Sequence, residues 1–162
     1  MKPLVSIITP SFNQAPYLRR TMESVLMQDY PNLEYIVVDG GSTDGSQAII
    51  KEYEARLAHW ESLPDKGQTD AINKGFARAT GTYLAWLNSD DVYHPGAITE
   101  AVTYLESHPK VGMVYGDCTF IDADDRQIGR FPAAQTDYVR LRRGYVHIPQ
   151  QASFFRADLW HK

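Results

Sequence analysis

Two adjacent carboxylates, Asp90 and Asp91, close the apolar run Tyr83-Leu-Ala-Trp-Leu87. Like charges side by side at the end of a hydrophobic strand repel, and partial burial raises the free energy of keeping both ionised. A divalent cation relieves both penalties. Carboxylate oxygens completed by diphosphate oxygens and water form the donor set that Mg²⁺ or Mn²⁺ prefers, and the ion would neutralise charge building on a departing diphosphate. Asp91 is read as the metal ligand and hence the catalytic residue. Asp90, facing the other way along the turn, is left to accept hydrogen bonds from ribose hydroxyls. The same spacing also fits a plain cap on a helix beginning near Pro95.

Other polar residues fall where a ligand would be met. One apolar run ends in Thr9-Pro10-Ser11-Phe12-Asn13 and a second in Asp39-Gly40-Gly41-Ser42-Thr43-Asp44-Gly45. Asp39 could accept a hydrogen bond from a base or ribose, or organise the glycine turn as an Asx turn. Asp70, within Lys66-Gly-Gln-Thr-Asp-Ala-Ile-Asn-Lys-Gly75, could shape a base pocket or be an ordinary first-turn residue of a helix. His147 and the run Pro149-Gln150-Gln151 read as a loop over the site. Arg140, Arg142 and Arg143, near Tyr145, read as a solvated face, with an acceptor phosphate or a membrane surface as the alternative partner.

The elements that must position these residues are short. Residues 4–8, 35–38, 83–87 and 111–115 are nearly continuous in hydrophobicity, as strands covered on both faces tend to be, and are expected as neighbours in a buried sheet. Between them lie helical spacings: Leu18, Met22, Val25 and Leu26; Ile49, Tyr53 and Leu57; Ile72 and Phe76; Ile98, Val102 and Leu105. Pro16 and Pro95 suit first turns, and Asp44 followed by Gln47 resembles a capping box. A further strand is expected near 59–63, a hairpin through 120–131 and a strand at 152–156. Alternation of this kind implies a mostly parallel sheet with helices on both faces, an α/β fold in which ligands gather beyond the carboxyl ends of the strands.

Composition narrows the function. The chain has 162 residues, enough for a single domain with a real core, and a net charge of −4 with its 16 basic residues scattered. No broad basic face is expected for nucleic acid. One cysteine, Cys118, excludes an internal disulfide. The N-terminus lacks the pattern of a secretory signal and no window is apolar enough to span a bilayer, so a cytoplasmic protein is expected, with at most peripheral contact at the inner face of the membrane. The spacings of a phosphate-binding loop, a dinucleotide-binding turn, a serine nucleophile elbow and a zinc site are all missing. A phospho-acceptor signalling domain would need a lysine closing a later strand, which the sequence lacks.

Four segments together carry a resemblance to the family 2 glycosyltransferases of GT-A fold, especially bacterial members that build polysaccharides and surface glycans. They are Val5-Ser-Ile-Ile-Thr-Pro-Ser-Phe-Asn13, Ile36-Val-Val-Asp-Gly-Gly-Ser-Thr-Asp-Gly-Ser46, Lys66 to Gly75, and Trp86-Leu-Asn-Ser-Asp-Asp91. The resemblance implies a Rossmann-like sheet and a nucleotide-sugar donor, commonly a UDP-sugar. It implies Thr9 and Pro10 lining the nucleotide pocket, Asp39 at the base, Asp90 near the ribose, and Asp91 holding Mn²⁺ or Mg²⁺ at the diphosphate. Transfer to an acceptor hydroxyl, on a glycan or a lipid-linked carrier, would invert the anomeric carbon and need a general base. In relatives that acid lies beyond a stretch like Ile148 to Arg156, so the segment bearing the base and acceptor site is expected to be missing here. Asp117 and Asp122 are the substitutes within the chain, both better suited to a pocket wall or a loop. A homodimer through the uncovered apolar surface, and a binding-only module that does not turn its ligand over, are the competing expectations.

Overall fold

Strand β1 (Val5–Ser11) is buried at every position, as its unbroken apolar character predicts. It lies between β2 (Leu33–Asp39) and β4 (Tyr83–Trp86), parallel to both, and β3 (His59–Ser62) extends the parallel set beyond β2. The computed structural model describes residues 2–145 and 147–160. Among these, β5 (Met113–Tyr115) and β8 (Ser153–Arg156) complete a main sheet in the order β3-β2-β1-β4-β8-β5.

Alternation along the strands divides the core in two. Val5, Ile7, Tyr35 and Val37 face helices α1 (Ala15–Leu26), α2 (Ser46–Glu52) and α4 (Ala97–Ser107), which contribute Leu18, Met22, Val25, Ile50, Ile98 and Val102. On the opposite face Ile8, Ile36, Val38 and Leu84 pack against Ala71 and Phe76 of α3 (Gln68–Arg78). Helix α3 approaches β1 so closely that a Cβ on Gly75 would sit 2.5 Å from Ile8 Cγ2. The chain moves outward through β1, β2 and β3, then crosses by α3 to place β4 on the other side of β1. That reversal is the switch point at which open α/β sheets bind ligands.

Several local expectations are corrected. The run 111–115 is not a neighbour of the other three strands: it shortens to β5 at the far edge, and β8 runs antiparallel between it and β4. Strand β8 suits the inner position because it is apolar on both sides. Phe154 stacks on Tyr93 with ring centroids 5.4 Å apart, and Phe155 lies 5.6 Å from Phe76 on the other face. Arg156 then locks the arrangement, donating to the carbonyls of Val111 (2.9 Å) and Leu105 (2.6 Å) and to the Tyr83 hydroxyl (3.2 Å). Pro95 precedes the α4 cap rather than entering its first turn, because Gly96, with φ 80°, reorients the chain there. Asp44 and Gln47 form no capping box. The cap of α2 is Gly45, while Asp44 accepts from the amides of both Ser46 (3.0 Å) and Ala15 (2.8 Å), and Gln47 donates to the Ser42 carbonyl. The hairpin forms as β6 (Cys118–Ile121) and β7 (Gln127–Phe131), bulged between Phe120 and Ile121. Among the described residues no helix is long and apolar enough to cross a membrane.

Candidate functional site

At the switch point a cleft of about 820 Å³ opens beyond the carboxyl ends of the parallel strands. Pro10, Ser11 and Phe12 line it from the end of β1, Gly40 and Gly41 from β2, Pro64 and Asp65 from β3, and Asn88, Ser89 and Asp90 from β4. Gln68 and Ala71, at the start of α3, close the remaining side. Phe12 is 62% exposed, which leaves its ring open to the cleft that it lines. The glycine pair makes the tight exit its type predicts. Gly41 has φ 85°, which favours glycine, and a Cβ on Gly40 would come 3.0 Å from Asp65 Oδ2, so the bare position 40 lets the loops after β2 and β3 lie close together.

The structure separates the sequence candidates into two groups. Pro10 and Asp90 line the cleft; Thr9, Asp39 and Asp70 do not. Thr9 is fully buried and its hydroxyl shares a 2.9 Å hydrogen bond with the Tyr35 hydroxyl inside the sheet. Asp39 is also fully buried, and its carboxylate accepts from the amides of Gly41 and Ser42 and from the hydroxyls of Ser42 and Ser62. These contacts organise the glycine turn, one of the two readings open for Asp39. Asp70 accepts from the Lys66 amide at 3.2 Å and pairs with Lys74 at 3.1 Å. Those contacts, the Lys66 amide first, hold its carboxyl below the usual range. It braces the first turn of α3.

The acidic pair sits on a turn closed by the Asp91 amide donating to the Asn88 carbonyl at 3.1 Å. The turn sends the two carboxylates apart: Asp90 is exposed and Asp91 partly buried. Burial first, then the charge of Asp90, pushes the Asp91 carboxyl above its ordinary value, and a 3.2 Å hydrogen bond from Asn88 Nδ2 offsets part of that. Asp91 opens instead onto a second cleft of about 850 Å³ lined by Tyr93, Tyr104, Met113, Tyr115, Cys118, Gln151 and Phe154. Asp90 borders both clefts.

A divalent cation fits this turn in one particular way. Among the described residues no group of three or more His, Cys, Asp and Glu side chains could hold a metal, so a cage made wholly of protein donors is not what the site offers. Mg²⁺-type sites, however, commonly use one or two carboxylates with the remaining positions filled by water and substrate phosphates. Asp91 matches that pattern: a hard oxygen donor whose ionised form is penalised until a positive charge arrives.

The remaining candidates have other partners. Asp117 forms an ion pair with Arg130 and accepts from the Ala133 amide at 2.7 Å, and these, the arginine first, hold its carboxyl low. Asp122 ties the β6–β7 turn by accepting from the amides of Asp124 and Arg126. Both carboxylates are thus taken up by partners of their own. The loop expected over the site does reach it, since Gln150 contacts Asn88 and Gln151 lines the second cleft. His147 stacks on Phe131 instead. Arg140 pairs with Asp137 at the start of α5 (Tyr138–Arg142), and Arg142 and Arg143 are exposed. Sequence reasoning assigned no role to Phe12, Asp65, Gln68 or Asn88. Their signal was positional, since Phe12, Asp65 and Asn88 follow strand ends and Gln68 opens α3.

Comparison with known proteins supplies context. Residues 6–160 match the family model for Glycosyl transferase family 2. The chain is 38% identical over 160 residues to Uncharacterized glycosyltransferase Rv1514c of Mycobacterium tuberculosis (strain ATCC 25618 / H37Rv), a match covering 97% of this chain and 60% of that protein. The crystal structure of S. aureus TarS 1-349 in complex with UDP-GlcNAc superposes with a TM-score of 0.78 at 20% identity, covering 98% of this chain and 46% of that one. The mannosyltransferase PcManGT from Pyrobaculum calidifontis, in complex with GDP-Man and Mn²⁺, gives 0.73 at 23% identity, covering 99% and 46%. The fold is therefore GT-A, and the chain spans less than two thirds of the length of the proteins it resembles.

Proposed function

From the premise that the chain belongs to glycosyl transferase family 2, we propose that it forms the donor-binding part of a metal-dependent, inverting glycosyltransferase that uses a nucleotide-diphosphate sugar, with UDP-sugars favoured. The observation that carries this reading is the placement of the acidic turn, where Asp90 borders both the cleft at the strand ends and the second cleft and Asp91 lines the second.

The nucleoside enters the first cleft, where the exposed ring of Phe12 offers a face for the base and Asp65 an acceptor for its N–H groups. Pro10 forms the floor, and Asp90 accepts from the ribose hydroxyls. Thr9, Asp39 and Asp70 support these walls from behind rather than by direct contact. Asp91 would hold Mn²⁺ or Mg²⁺, with diphosphate oxygens and water completing the shell. When bound, the ion neutralises charge that builds on the leaving diphosphate. The sugar then projects into the second cleft, where an acceptor hydroxyl attacks the anomeric carbon from the side opposite the diphosphate. The new C–O bond forms as the bond to the phosphate oxygen breaks, and a base removes the hydroxyl proton. Asp117 and Asp122 are already engaged, which supports a base from outside this donor-binding part. The acceptor is a glycan or lipid-linked hydroxyl, the setting is cytoplasmic, and any membrane contact is peripheral.

The test is calorimetric titration of the chain with UDP and with GDP, each in Mn²⁺ and in EDTA. Metal-dependent binding of one nucleotide, lost in Asp91→Ala, is the expected result. A folded chain that binds neither nucleotide would overturn the proposal. The second reading, a module that binds its donor without turning it over, is favoured by the engagement of Asp117 with Arg130 and of Asp122 with the amides of its own turn. Binding without turnover on any supplied acceptor would select it.

A further inference from the structure

Among the described residues one side chain, Asn88, hydrogen-bonds the Asp91 carboxylate, and that side chain is itself held. Asn88 Nδ2 donates to Asp91 Oδ2 at 3.2 Å and to Gln150 Oε1 at 3.2 Å, while Asn88 Oδ1 accepts from Gln68 Nε2 at 2.7 Å. Gln150 Nε2 in turn donates to the Trp86 carbonyl at 2.7 Å. Read from its anchored end, the chain of contacts admits one orientation. A backbone carbonyl only accepts, so Gln150 must turn its nitrogen toward Trp86 and its oxygen toward Asn88. Asn88 must then present its nitrogen to Gln150, and the Asp91 carboxylate requires the same nitrogen. Both Nδ2 hydrogens are consumed, and Oδ1 is left facing the donor nitrogen of Gln68.

The geometry points to Gln150 and Asn88 as a positioning relay, resting on the donor-site reading above, that fixes the Asp91 carboxylate so that its remaining lone pairs face the diphosphate position. Asn88 borders the nucleotide cleft, but Gln150 lines neither cleft. Its side-chain contact with the donor site runs through the Asn88 amide. The relay also joins three segments distant in sequence: the start of α3, the acidic turn and the loop leading into β8. Outer partners of this kind orient a metal ligand and limit its rotamers, and their removal typically weakens metal affinity 10- to 100-fold.

Two measurements on the intact chain test it. The first needs no ligand: the side-chain amide resonances of Asn88 are followed by NMR in Gln150→Ala and in Asp91→Asn, with thermal melting as a check on folding. Both substitutions should move those resonances. The second titrates UDP and GDP in Mn²⁺ and in EDTA. Gln150→Ala should reduce the Mn²⁺-dependent affinity by about tenfold and leave the EDTA affinity unchanged, and the double variant with Asn88→Ala should be no weaker than Asn88→Ala alone. Unmoved Asn88 resonances in Gln150→Ala would overturn the relay, as would equal losses with and without metal. If the unsubstituted protein binds neither nucleotide, the donor-site reading fails and the relay is decided by the resonance shifts alone.

Discussion

Replacing Asp91 by asparagine should make the metal-free protein more stable while removing its response to metal and nucleotide together. Asp91 is partly buried beside Asp90, and its carboxyl is pushed up chiefly by burial and then by that neighbour's charge. The amide is nearly isosteric and its oxygen can still accept from Asn88 Nδ2, so the substitution removes the charge and keeps the contact. The gain is about 1 kcal/mol at neutral pH, once the part of the side chain left in water is discounted. For a chain of this size that corresponds to a rise in Tm of about 3 °C. The pH dependence follows from the direction of the shift. A folded-state carboxyl raised above its unfolded value costs stability while ionised, and the deficit fades as pH falls through the folded pKa toward the unfolded one, about 3.9. The two proteins should therefore melt apart at pH 7 in EDTA and converge near pH 4. Saturating Mn²⁺ and nucleotide should reverse the order, because a ligand at 100 times its Kd adds about 2.7 kcal/mol to the native state that binds it. An Asp91→Asn protein less stable than the original in EDTA at pH 7, or a difference that ignores pH, would refute the argument.

Other outcomes follow from contacts described above. Phe12→Ala should weaken nucleotide binding by about 1–3 kcal/mol, the usual worth of an aromatic face against a base, with the melting temperature unchanged; calorimetry of UDP or GDP binding reads both halves. Gly75→Ala should destabilise the fold by about 1–3 kcal/mol in urea denaturation, because the added methyl enters 2.5 Å from Ile8 Cγ2 and must separate α3 from β1. Arg156→Met should lower stability by about 2–3 kcal/mol, since the Val111 and Leu105 carbonyls lose their guanidinium donors. Hydrogen exchange in that variant should accelerate first in β5 and β8.

The sequence exposed the layered core and the acidic turn because each has a local signature. Four apolar runs of strand length, spaced by helical periodicity, marked both faces of the sheet, and Asp90-Asp91 at a strand end announced its repulsion. The position of β8 between β4 and β5 had no such signature. A four-residue strand declares neither its direction nor its neighbour, and here both follow from Phe154, Phe155 and Arg156 finding partners far away in sequence. The roles of Thr9 and Asp39 were open for a different reason. Residue type suggested ligand contact, but both share the parity of Val5, Ile7, Tyr35 and Val37, which face the three-helix layer, and a period of two along a strand carries them the same way. That parity was available in the sequence. The orientation of Phe12, Asp65 and Asn88 was not, because loop residues have no period from which to read it.

The loops after β1 and β2 are stitched to each other. The amides of Asn13, Gln14 and Ala15 donate to side chains of Ser42, Ser46 and Asp44, and the Thr43 amide donates back to Asn13 Oδ1. One wall of the nucleotide cleft therefore has its shape before any ligand arrives, and the conformational entropy of ordering it is lost on folding rather than on binding. Because Asp44 serves the first turns of two helices at once, that wall cannot loosen without fraying α1 and α2 together.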